Sequence, residues 1–174
     1  MSAATVQAQG GTGASVAWAN AEGGISFNLA DNLTDTTTPV AIPTATGTVF
    51  SWTKNLVLAV TVAGTTTISN RRINMSGATA TGLQMFWQAV AVASYAQSAV
   101  GNRPASSGSN GATPAGYTLM TTSPVVYDAT AVASSGTGPN GKMAVCVIGV
   151  DFGFLGGPGS ATALPSISLV YDEA

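Results

Sequence analysis

The chain has 174 residues, of which five are basic, seven acidic and none histidine. Its charged fraction is 7%, against roughly 25% in an average soluble domain. That excludes the basic stripe of a nucleic-acid binder and the polybasic patch of a membrane-surface protein, and with no histidine every histidine-dependent triad is excluded as well. The expectation is a non-enzymatic structural protein with no cofactor and no metal.

The length suits a single domain, which at this size buries close to ~70% of its unfolded surface. Ala, Thr, Gly and Ser make up 90 of the 174 residues, so the core must rest on a few large anchors. Short Val-, Thr-, Ile- and aromatic-rich runs alternate with Gly, Pro, Asn and Ser clusters, a pattern that reads as all-β.

In chain order, Ser2–Gly13 shows no core pattern and ends Gly10-Gly11-Thr12-Gly13. It is expected to be an extended N-terminal arm over residues 1–13, free to add to a neighbour's sheet edge, with a frayed terminus as the alternative. The β-sandwich domain then spans 14–174. Strands are expected at 15–20, 24–29, 48–52, 56–62, 65–69, 72–76, 83–88, 117–121, 142–151 and 166–171. Leu56–Val62 and Lys142–Val150 are almost continuously apolar, as in central strands covered on both faces. In Leu83–Gln88, Leu83, Met85 and Trp87 share one face, and Gln84, Phe86 and Gln88 the other. Residues 30–45, 101–116 and 129–141 read as long polar loops. The architecture expected is a single-domain β-sandwich or jelly roll with an extended N-terminal arm and long loops.

Several motifs suggest chemistry. Residues 136–142 (GTGPNGK) match G-x-G-x-x-G through Gly136, Gly138 and Gly141, and most of a P-loop through Lys142. Met143 stands where a P-loop has Ser or Thr, and a β-like run follows where a helix is needed, so a turn is expected instead. Asp31, Asn32 and Asp35 could offer oxygens to calcium, but they lack an EF-type loop and read as Asx turns. Asp151 is the strongest single acid, with no partner for glycoside hydrolysis. Cys146 lies in an apolar run and is expected to be a small buried hydrophobe. Trp18, Trp52 and Trp87 are read as core anchors rather than a sugar platform. No basic, apolar leader is visible at the start.

Residues 46–77 (TGTVFSWTKNLVLAVTVAGTTTISNRRINMSG), with the C-terminal Ile167-Ser168-Leu169-Val170-Tyr171-Asp172-Glu173, resemble small β-sandwich structural proteins of tailed bacteriophages, found on heads or near the head–tail junction. The resemblance covers about a third of the chain. It departs from the family pattern where Thr53 and Asn55 flank Lys54. It implies a capsid decoration or cement protein, assembled in the host cytoplasm and residing on the capsid surface. Its partners would be the major capsid protein or other virion proteins, and its own state a homo-oligomer, with a trimer favoured. A neck, tail or fibre-base subunit is the close alternative; a secreted adhesin or carbohydrate-binding module is the distant one. Ser2, Val6, Gln7, Gln9, Arg71, Arg72 and Arg103 are the expected interface residues, with residues 101–116 as a further contact.

Overall fold

Successive side chains of a β-strand face opposite ways, so a strand that is apolar throughout needs a cover on each side. The computed structural model describes residues 4–77, 79–133, 135–154 and 165–174. In it the strands are β1 (Thr5–Thr12), β2 (Ala17–Asn20), β3 (Thr48–Phe50), β4 (Lys54–Val62), β5 (Thr67–Ser76), β6 (Leu83–Ala91), β7 (Thr118–Leu119), β8 (Val125–Asp128), β9 (Val132–Ala133), β10 (Lys142–Asp151) and β11 (Ser166–Glu173). One antiparallel sheet runs β2-β1-β4-β10-β6-β7, with β3 also on β10; the other runs β11-β5-β8, with β9 also on β5. The chain is an all-β sandwich.

Both continuously apolar runs become neighbours, β4 beside β10. The inner face of β10 sends Ala144, Cys146, Ile148 and Val150 into the core between the sheets, where they meet Leu56, Ile73, Met85, Trp87, Met120 and Tyr127. Its outer face carries Met143, Val145 and Val147. There the segment after β6 folds back, and Tyr95, Ala112 and Tyr117 cover them. Phe50 and Phe86 meet edge to face in this outer layer, at 6.0 Å between centroids. The alternation expected in 83–88 holds: Leu83, Met85 and Trp87 face the inter-sheet core, and Phe86 the outer layer.

β3 and β4 lie along the same edge of β10, separated by Ser51–Thr53. Ser51 spans the gap. Its amide donates to the Ile148 carbonyl at 2.9 Å, and its hydroxyl accepts from the Ile148 amide at 3.1 Å. A side-chain oxygen thus continues the ladder where the backbone turns away.

The N-terminal segment departs from expectation. Residues 5–12 are no free arm but β1, paired with β4 on one side and β2 on the other. The absence of large side chains there is what close packing requires. A Cβ on Gly10 would stand 2.5 Å from a Leu33 methyl, and one on Gly11 3.0 Å from the rings of Trp18 and Tyr95. The boundary at residue 13 therefore falls inside the domain, at the β1–β2 turn. Elsewhere, 24–29 forms only an isolated bridge, Asn28 with Pro39. The strands expected at 65–69 and 72–76 are one strand, β5, passing through Asn70 at φ 47°.

One end of the sandwich is closed by a buried ion pair. Arg71 Nη2 donates to Asp128 Oδ2 at 2.6 Å, with the side chains 2% and 0% exposed. Arg71 Nη1 donates to the Asn140 carbonyl at 2.8 Å, and the Lys142 amide donates to Asp128 Oδ2 at 2.6 Å. The glycine-rich 136–142 loop thus wraps this pair with its backbone. Gly141, at φ 72°, lies so close that a Cβ would stand 2.3 Å from both Arg71 Nη2 and Asp128 Oδ2. Burial by itself would raise the Asp128 carboxyl, but the amides of Thr130 and Lys142 and the Arg71 charge outweigh it and hold it below its ordinary 3.8.

Arg71→Met and Asp128→Asn should each cost about 3–5 kcal/mol at pH 7, the range for leaving one buried charge unpaired. Gly141→Ala should be comparably damaging, because it adds strain to a clash. Arg72→Ala, which breaks the exposed pair with Asp172, should cost under ~1 kcal/mol. Urea unfolding measures all four. Because the folded carboxyl lies below the unfolded one, the Asp128 contribution is complete above about pH 4 and is lost as pH falls through the folded value. The gap between wild type and Asp128→Asn should therefore narrow in acid.

Candidate assembly surface

The expected interface residues do not converge on one patch. Ser2 lies outside the described residues. Val6 lines a groove between the two sheets. Gln7 and Gln9 alternate with it on β1 and are hydrogen-bonded to each other at 3.3 Å on the outer face. Arg72 lies on β5, paired with Asp172. Arg103 borders a hollow of about 430 Å³ formed with Phe50, Gln88, Pro104, Pro114 and Tyr117. Arg71 is removed from any interface by its burial against Asp128.

The 101–116 segment, expected as a contact loop, is pinned to its own sheet. Asp151 is the clamp: the Thr48 hydroxyl donates to its Oδ1, and the Gly111 amide reaches both oxygens at 3.0 Å. Thr48 Oγ1 also lies 3.0 Å from the Ser109 carbonyl, and Asn110 Oδ1 accepts from the Gly47 amide at 2.8 Å. The acid that sequence alone ranked first for chemistry thus holds a loop as an acceptor. The outward side chains of that loop remain exposed.

In the sequence Lys54 stands out through the 46–77 resemblance, with nothing to name its partners. In the fold its side chain is buried, and its ammonium donates to Asn28 Oδ1 at 2.8 Å, to the Ala30 carbonyl at 2.8 Å and to the Asn32 carbonyl at 2.7 Å. An internal cation therefore organises the segment considered for calcium. The Asx turns expected there are formed: Asn32 Oδ1 accepts from the Asp35 amide at 2.8 Å, and Asp35 Oδ1 from the Thr37 amide at 2.7 Å. Asp31 turns to other work, accepting from the Gly13 amide at 2.9 Å and Gln97 Nε2 at 2.7 Å. Burial lowers the Lys54 pKa to about 8, with Asp31 and Asp35 acting in the opposite direction. Among the described residues, no group of three or more His, Cys, Asp or Glu side chains gathers as a metal site.

Of the three tryptophans, Trp87 is core, at 7% exposed. Trp18 is half-buried and packs edge to face on Tyr95 at 5.9 Å, and Trp52 is half-buried beside Ser51. They do not form one platform: Trp87 belongs to the inter-sheet core and Trp18 to the outer layer. Cys146 is fully buried and burial pushes its thiol up.

The groove that Val6 borders encloses about 650 Å³. One wall is the first sheet (Val6, Ala8, Leu56, Leu58) with the Ala21–Phe27 segment, and the other is β11. Sequence reasoning singled out Val6 but not β11 as its partner. The only available signal was the alternation Ser166-Ile167-Ser168-Leu169, which marks β11 as a one-sided strand. Comparison with protein-family models, with curated proteins and with solved structures finds no match to this chain.

Lys54→Met should destabilise the fold by about 2–4 kcal/mol, because one buried and two half-buried acceptors lose their donor. The pH dependence has a defined sign. The folded lysine releases its proton near pH 8 and the unfolded one near 10.5, so between those values the unfolded chain holds more protons and stability rises with pH. Wild type should gain on Lys54→Met from pH 8 to 10 in urea titrations. Cys146 should resist a thiol reagent at pH 8 in the folded chain and react fully in guanidinium.

Proposed function

We propose that this chain is a structural subunit of a tailed-phage particle, a decoration protein that clamps neighbouring major capsid subunits. It would act as a homo-oligomer, with a trimer favoured, assembled in the host cytoplasm and held on the capsid surface.

The observation that carries this reading is where the charge goes. Lys54, Arg71, Asp128 and Asp151 are buried in internal scaffolding, and Arg72 is paired with Asp172. The solvated surface is therefore even less charged than the 7% of the sequence. It displays Val16, Val62, Val100, Leu119, Val125, Val126, Phe152 and Val170 instead. A free monomer usually relies on mixed surface charge to avoid association. A surface of this kind suits a chain that ends up against other protein. The resemblance over residues 46–77 supplies the particle, and the charge distribution supplies the role.

Quantitative mass spectrometry of gradient-purified particles from lysed cultures of the source tests the proposal. A copy number comparable to that of the major coat protein supports a decoration role. A small fixed number per particle moves the chain to the neck, tail or fibre base. Absence from particles and presence on cells or in the medium replaces the reading with the adhesin one. With few ion pairs available, attachment to particles should change by less than about threefold between roughly 0.05 and 0.5 M salt, because screening acts on charges. Release that is steep in salt counts against the proposal.

A further inference from the structure

We infer that the groove beside β11 is a strand-acceptor site, taking one extended segment of a partner protein whose apolar side chains alternate and whose flanks are basic. This deepens the assembly reading by naming what the surface takes.

The first observation concerns sheet edges. An exposed edge offers a row of unpaired amides and carbonyls, and proteins normally blunt such edges by shortening them or charging them with lysine. Here β2 and β8 have four residues each, and β7 and β9 two each. β11 has eight, with neither lysine nor proline; its bulge between Val170 and Asp172 and its two acids fall at its C-terminal end, so Ser166–Val170 form a regular edge, and among the described residues it pairs only with β5.

The second observation is the space next to that edge. β11 packs over β4, while β1 and β2 lie beyond β4 in the opposite sheet. Among the described residues the first sheet therefore overhangs, with no strand above its apolar floor. Ile25, Phe27, Leu58 and Leu169 are among the side chains lining this space. A strand added to β11 would continue the second sheet and point every other side chain at that floor. The overhang also argues against a second copy of the sandwich as occupant. Two copies joined β11 to β11 would bring two overhanging sheets into the same volume. A lone extended segment has no such conflict.

The third observation is charge. Among the described residues, Glu22 is the one charged side chain lining the groove, and β11 ends in Asp172 and Glu173. Arg72 neutralises Asp172, so Glu22 and Glu173 leave the rim acidic. An uncharged centre with Lys or Arg at its ends is the complement.

The test uses the full chain and a fluorescein-labelled peptide of alternating Val and Thr with a Lys at each end, followed by anisotropy. Saturable binding is expected. The same peptide N-methylated at alternate amides keeps its side chains but loses the strand ladder, and should bind at least about tenfold more weakly, the effect of losing two or so net hydrogen bonds. Replacing the terminal Lys by Glu should weaken it in the same direction. Ala8→Phe, which fills the groove from its floor, should abolish binding, and the N-methylated peptide provides the same control without altering the protein. No binding at millimolar peptide overturns the proposal. Equal binding of the N-methylated peptide also overturns it, since that is apolar adhesion without strand addition. Self-association of the chain that the peptide cannot displace overturns the choice of occupant. None of these outcomes depends on whether the chain is found in particles, so the two proposals can fail separately.

Discussion

The burial of β10 on both faces is the constraint around which the other elements are arranged. Its inner side chains need a second sheet, and its outer ones need a further cover. The segment from Val92 to Tyr117 serves as that cover, although its sequence is mostly polar and small. What keeps it in place is a set of hydrogen bonds centred on Asp151 and Thr48, both buried. A long loop becomes a third layer because the strand beneath it would otherwise expose Met143, Val145 and Val147 to water.

Charge is used in the same economical way. A chain with twelve charged residues places four of them inside, each with defined polar partners. Lys54 gathers one loop, the Arg71–Asp128 pair gathers another, and Asp151 a third. Buried charges left without partners are strongly destabilising, so each fixes its surroundings to a narrow geometry. In a protein whose core is thin in large side chains, such contacts specify which loop lies where. They also leave the outside sparsely charged, which is the property that the proposed assembly role uses.

Small residues carry a comparable share of the architecture. Gly10 and Gly11 admit Leu33, Trp18 and Tyr95 against β1. Gly141 lets backbone come within reach of the internal ion pair. The glycine-rich 136–142 loop resembles a phosphate cradle because both tasks need backbone amides brought close to a charged group. Here the charged group is the chain's own carboxylate, Asp128, which accepts from the Lys142 amide.

Much of the fold was legible from local pattern. The all-β class, the bounds of Lys142–Asp151, the face assignment within 83–88 and the double-sided burial of Leu56–Val60 and Met143–Val150 all follow from a period of two and from continuous hydrophobicity, which are properties of single segments, while Val62 and Lys142 at the run ends are exposed. What tertiary structure alone decided was pairing. Residues 5–12 look like an arm because Gly and Ala carry no hydrophobic signal, yet they fit a strand that must pass close to Leu33 and Trp18. Lys54 has no local partner until Asn28, Ala30 and Asn32 are brought to it from more than twenty residues away. Arg71 looks like half of a surface basic pair with Arg72, and the alternation of β5 sends one inward and the other outward. The groove beside β11 exists only because two sheets of unequal width are stacked. No segment carries that information by itself, since it resides in the offset between sheets.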